Sequence, residues 1–207
     1  MRSVVFVCGY PGAGKTTVVR LFIDACQVAG KSFCPKRGED KKGYWLETTN
    51  RDVVVFGRWR EHEAVFPTRA KNNIAGRCDG GDRNQPGRAN FDCIRLLHNL
   101  PADCLVISDS INGCVLNAGF VEEASKLGYE ISVEELDVPR SVAFARARQR
   151  DGLCHNEEKT AKFCDKWDKR RNAWTAGLTK RRHRFKYSRT CAPDVFMSML
   201  FDAGLTD

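Results

Sequence analysis

One stretch limits the possible folds of this chain more than any other: Val4-Val5-Phe6-Val7-Cys8-Gly9-Tyr10-Pro11-Gly12-Ala13-Gly14-Lys15-Thr16-Thr17. Its five leading apolar residues predict a short buried strand. Residues 9–16 then read GxxxxGK[ST], and Val18-Val19-Arg20-Leu21-Phe22-Ile23 continues as a helix. Glycines at 9, 12 and 14 let the backbone curl so that its N–H groups point inward at phosphate oxygens. The start of the following helix adds the positive end of its dipole. In that arrangement Lys15 reaches β- and γ-phosphates and the Thr16 hydroxyl ligates Mg²⁺. Gly9, Gly12, Ala13, Gly14, Lys15, Thr16 and Thr17 are the expected nucleotide-holding residues, with ATP and Mg²⁺ as the expected ligands.

At 207 residues the chain is the size of one α/β domain and long enough to bury a full core. No apolar run is long enough for a membrane span. The N-terminal run leads straight into the glycine loop and is too short for the apolar region of a signal peptide. The ten cysteines include no CxxC pair, so free thiols in a reducing, cytoplasmic compartment are expected (a host cell's, if the source is viral). Cys154-His155 with Cys164 fits no standard zinc spacing. A net charge of +8 points to an anionic partner, either a nucleotide or a nucleic acid.

Further along, 15–29 reads as the first helix with Gly30 as its cap, and 31–42 as a polar, basic loop. An edge strand is expected at 43–49, and Val53-Val54-Val55-Phe56 has the continuous apolar character of a central parallel strand. Residues 57–90 lose periodicity, which in a compact domain marks a functional or mobile segment. The residues just past the carboxyl end of a strand face the ligand crevice of an open α/β sheet, so Arg58 and Trp59 suit an acceptor. Asp82 and Arg83 also lie in this stretch. A helix over 91–99 carries His98 on its surface.

Cys104-Leu105-Val106-Ile107-Ser108-Asp109 is an apolar strand ending in a carboxylate. It resembles the Walker B strand, whose acid holds Mg²⁺. A helix over 115–127, a strand over 130–138 and a helix over 140–150 come next. Arg146 and Arg150 lie four residues apart on one face of the last of these. In a phosphoryl-transfer enzyme such arginines neutralise the charge developing on the transferred group. A helical pattern over 157–174 spaces Phe163, Trp167 and Trp174 as packing residues. The basic run 180–189 reads as a final edge strand, and Pro193-Asp194 opens a closing helix.

The order of strand, phosphate loop, helix, strand, acid-tipped strand and Arg-rich helix resembles the P-loop kinases of nucleosides, nucleotides and polynucleotides. Gly57-Arg58-Trp59 followed by Gly80-Gly81-Asp82-Arg83 is similar to a bacteriophage branch that phosphorylates 5-hydroxymethyluracil in DNA. Here Gly81 stands where that branch has Thr, and Ser108-Asp109-Ser110 where it has a Glu-Gly-Asp-like run. The resemblance implies a three-layer P-loop NTPase fold, a mostly parallel sheet with helices on both faces and an Arg-rich lid. It also implies one domain over 1–207, with 58–99 as an acceptor-side insertion and 140–180 as the lid and helical region.

Its implied roles are Lys15, Asp82, Arg146 and Arg150 in catalysis, Arg58, Trp59 and Arg83 at the acceptor, and Thr16 and Asp109 on the metal. The acceptor is then DNA containing a modified base. A free deoxynucleoside monophosphate is the alternative, and an ATPase or switch module without an acceptor is the reading from another class.

Overall fold

The computed structural model describes residues 2–31, 33–37, 44–48, 53–56, 97–98, 100, 103–109, 118–150, 157–181 and 185–206. Among these, seven strands form one sheet: β1 (Ser3–Cys8), β2 (Phe33–Arg37), β3 (Tyr44–Thr48), β4 (Val53–Phe56), β5 (Leu105–Asp109), β6 (Glu130–Leu136) and β7 (Phe185–Thr190). Their spatial order is β2-β3-β4-β5-β1-β6-β7. All pairings from β4 to β7 are parallel, and only β3 runs against its neighbours. The helices are α1 (Lys15–Val28), α2 (Ala118–Lys126), α3 (Arg140–Arg150), α4 (Glu157–Arg181) and α5 (Ala192–Asp202).

Strand β1 lies at the heart of the sheet, between β5 and β6. Val4, Val5, Phe6 and Val7 are at most 2% exposed, as a strand covered on both faces requires. Helix α1 buries Val18, Val19, Phe22, Ile23 and Cys26, a stripe at helical spacing that packs on the sheet. Parallel crossovers are right-handed, which decides the layers. The path from β1 through α1 to β2 moves one way across the sheet; those from β5 through α2 to β6, and from β6 through α3 and α4 to β7, move the other. Helix α1 therefore lies on one face, joined by α5, and α2, α3 and α4 lie on the opposite face. This is the three-layer P-loop NTPase fold, a mostly parallel sheet with helices on both faces.

Several expectations need correction. Residues 33–37, expected within a loop, form β2 at the sheet edge, where Pro35 is tolerated because an edge strand has one unpaired side. Strand β3 is consequently not an edge but the middle strand of an antiparallel excursion. Helix α4 does not stop at 174: it continues to Arg181, and the last strand begins at Phe185. That strand is the edge strand expected from its alternation. Trp167 packs in the core, whereas Phe163 is 40% exposed and does not. No helix among the described residues is long and apolar enough to cross a membrane.

Candidate nucleotide-binding site

The glycine loop joins the end of β1 to the start of α1. Gly9, Gly12 and Gly14 all have positive φ, at 136°, 83° and 94°. Gly14 is the N-cap of α1 in a left-handed conformation, and no side chain caps the helix. Within the curl, the Ala13 N–H donates to the Tyr10 carbonyl at 3.1 Å and the Val18 N–H to the Gly14 carbonyl at 3.0 Å. A left-handed residue at the cap position carries the backbone from the loop into the first turn of α1, and a helix N-terminus entered from a glycine loop is the arrangement that suits a phosphate.

Lys15 is the first residue of α1 and only 4% exposed. Its Nζ donates to the carbonyls of Gly9 at 3.0 Å and Tyr10 at 2.7 Å. The ammonium is thus folded over the loop, where anionic oxygens entering the curl meet it. Thr16 comes next in the first turn. Asp109 ends β5 in register with Val7 of β1, two residues before Gly9. Its backbone therefore lies one strand spacing, about 4.8 Å, from Val7 near the end of β1.

A main-chain contact closes the other side. A Cβ built on Gly12 would fall 2.2 Å from the Ala143 carbonyl oxygen and 2.8 Å from the Ala147 nitrogen. Helix α3 thus rests directly on the loop, through its two small buried residues. Arg146 stands beside this contact, exposed and without an ion-pair partner among the described residues. Arg150 is the last residue of α3. Arg148, between them, is engaged elsewhere: it pairs with Glu157 of α4 at 3.4 Å and lies 6.0 Å from the Phe144 ring centroid.

Behind the loop is a polar cluster that the sequence does not announce. Tyr10, 6% exposed, donates its hydroxyl to Asp168 Oδ1 of α4 at 2.6 Å. Burial, reinforced by this bond to a carboxylate, raises the Tyr10 pKa. Asp168 also receives Arg171 at 2.9 Å and Arg140 at 2.7 Å, and Arg140 pairs with Asp165 as well. Arg171 lies 5.8 Å from the Tyr10 ring centroid and reaches Glu135 at 3.2 Å. Glu135, 1% exposed, accepts from Trp167 Nε1 at 3.4 Å and from the Tyr187 hydroxyl. A carboxylate so deeply buried is tolerated because a guanidinium and two neutral donors surround it. The only signal in the sequence is the spacing of Asp165, Asp168 and Arg171 along the face of α4 that carries Trp167.

Arg58, Trp59, Asp82 and Arg83 lie outside the described residues, as do Cys154 and His155. No group of three metal-ligating side chains occurs among the described residues. His98 is half exposed and sits 3.8 Å from Glu123, a surface residue as its spacing suggests.

No protein-family model matches the chain, and no curated protein matches it in sequence. Among solved structures, a gluconokinase from Sinorhizobium meliloti 1021 is similar at 13% identity and a TM-score of 0.45, covering 99% of this chain and 94% of that one. A shikimate kinase from Bacteroides thetaiotaomicron gives 13% identity and 0.43, covering 96% and 94%. A deoxyadenosine kinase from M. mycoides with bound dATP gives 10% and 0.44, covering 98% and 100%. At this distance the likeness transfers no activity to the chain.

Proposed function

We propose that the chain transfers the γ-phosphoryl group of ATP to a hydroxyl on a nucleic-acid or nucleotide acceptor. Our specific choice of acceptor is the hydroxymethyl group of 5-hydroxymethyluracil in DNA. The observation that supports the reading most is the uncapped, left-handed start of α1 with Lys15 folded over it. A neutral ligand gains little from such a cradle, whereas a polyphosphate matches its N–H groups and its ammonium.

In this reading the loop N–H groups and Lys15 hold the β- and γ-phosphates. A hard divalent cation takes its oxygen donors from Thr16, in the first turn of α1, and from Asp109, the residue that ends β5. Mg²⁺, when bound, neutralises charge on the phosphate oxygens. Asp82 orients the acceptor hydroxyl and takes its proton. The acceptor oxygen bonds to the γ-phosphorus while the bond to the β–γ bridging oxygen breaks, and ADP leaves. Arg146 and Arg150, acting from an Arg-rich lid within 140–180, offset the charge on the group in transit. Residues 58–99 form the acceptor side of a single domain, with Arg58 and Arg83 on an acceptor phosphate. Trp59 stacks on the base, worth about 1–3 kcal/mol.

The test is transfer of labelled γ-phosphate to three acceptors: hydroxymethyluracil-containing duplex DNA, unmodified DNA with free 5′-hydroxyls, and single deoxynucleoside monophosphates. Label on the modified DNA alone, with a steep loss of activity on raising salt, is the expected result. Label on a monophosphate alone, with a shallow salt response, makes the chain a nucleotide kinase. Release of phosphate to water with every acceptor refutes transfer altogether.

A further inference from the structure

The Tyr10–Asp168 bond joins two parts of the chain that the proposed chemistry treats separately. Tyr10 carries the only polar side chain in residues 9–14. The loop is also braced by the Ala13 N–H on the Tyr10 carbonyl and by Lys15 Nζ on the carbonyls of Gly9 and Tyr10, but these bonds lie within its own span and the first turn of α1. Tyr10 therefore ties the curl to a helix that starts 147 residues further along the chain, and the tie is a bond to a carboxylate at 2.6 Å. Such a charge-assisted bond is about twice as strong as a neutral one. Asp168 is itself fixed on both oxygens, by Arg171 on Oδ1 and Arg140 on Oδ2. Arg140 opens α3, the helix whose backbone rests on Gly12. One carboxylate therefore holds the loop side chain and both helices that bound the loop.

We infer that Asp168 is a positioning residue for nucleotide binding: through Tyr10 it keeps residues 9–14 in the anion-binding curl. The inference rests on the nucleotide-site reading above. Without the bond, the loop spends part of its time out of the curl, and the apparent affinity falls by that fraction. Asp168 touches no phosphate; it acts through Tyr10.

The experiment is titration calorimetry of the full chain with ATP and Mg²⁺, run beside thermal melts. Tyr10→Phe keeps the buried ring and removes the hydroxyl, and it is expected to weaken ATP binding about tenfold. Asp168→Ala weakens it at least as much, and Asp168→Asn, which keeps an oxygen acceptor for the hydroxyl, recovers most of that loss. The double variant Tyr10→Phe/Asp168→Ala is no weaker than Asp168→Ala alone, because both remove one bond. A lowered melting temperature with unchanged ATP affinity in Tyr10→Phe overturns the inference and leaves the pair a merely structural tie. Tyr10→Phe decides by itself if Asp168→Ala fails to fold. Wild-type chain that binds no ATP refutes the nucleotide-site reading, and the inference with it.

Discussion

Replacing Gly12 with alanine puts a methyl group where α3 already is. Two costs arise, and both come from geometry. At φ +83° a residue with a Cβ sits in the left-handed region, a strain of about 1–2 kcal/mol. The Cβ also falls 2.2 Å from the Ala143 oxygen and 2.8 Å from the Ala147 nitrogen. These are main-chain atoms, so no rotamer change relieves the overlap. Either the loop or α3 has to move, at the cost of an overpacked core, about 1–3 kcal/mol. The sum is about 2–5 kcal/mol. For a domain of this size it lowers the melting temperature by roughly 4–20 °C. Gly14 is the internal control: its φ is +94°, but a Cβ there meets nothing within 4 Å. Gly14→Ala therefore bears the strain alone, about 1–2 kcal/mol. Differential scanning calorimetry without nucleotide compares the two. Equal shifts in Gly12→Ala and Gly14→Ala would refute direct packing of α3 on the loop.

Three further outcomes are expected. Lys15→Ala lowers phosphoryl transfer by roughly 10²–10³-fold while the chain stays folded; circular dichroism and the transfer assay check it together. Arg146→Ala, at an exposed position, leaves the melting temperature unchanged and lowers kcat by roughly 10²-fold with little change in KM for ATP. An unaltered kcat removes that arginine from the transition state. Asp194, in the first turn of α5, accepts from Cys191 Sγ at 3.0 Å and Thr190 Oγ1 at 2.9 Å, and these bonds hold its pKa below the ordinary value. A depressed carboxylate stabilises the fold above its unfolded pKa, and the contribution is lost as pH falls through the folded value. The melting-temperature gap between wild type and Asp194→Asn is therefore open near neutral pH and narrows as the pH is lowered below the ordinary Asp value.

The glycine loop and its two flanking elements are legible in the sequence because every determinant is local. Five apolar residues, three glycines and an amphipathic helix lie within some two dozen positions, and each constrains its neighbours directly. The strand ending at Asp109 and the helix at 140–150 are legible for the same reason. Strand β2 is not. Pro35, Lys36 and Arg37 look like loop residues, and only pairing with β3 makes them a strand. The full length of helix α4 is hidden because Gly177 and the basic run from Lys180 punctuate its last two turns. Its last residues suggest a strand by composition, and only the pairing of Phe185 with Ile131 fixes where β7 begins. The cluster behind the loop is hidden by sequence distance. Nothing around Tyr10 points to Asp168, and nothing around Glu135 points to Arg171.

The position of β1 also bears on the order in which the chain acquires its structure. The strand emerges during synthesis well before either of its partners, Leu105–Asp109 and Glu130–Leu136. At about 5–20 residues per second, β1 waits roughly 5–25 s before its second neighbour exists. Until β5 emerges, Val4-Val5-Phe6-Val7 is an unpaired apolar segment with both edges open, and until β6 emerges one edge stays open, the kind of segment that aggregates or recruits a chaperone. The glycine loop hangs from its end, so it is formed early as sequence and late as structure. A nascent chain stopped before Glu130 lacks β6, and on the proposed reading its nucleotide binding waits further, for α3 to reach Gly12 and for Asp168 of α4 to reach Tyr10.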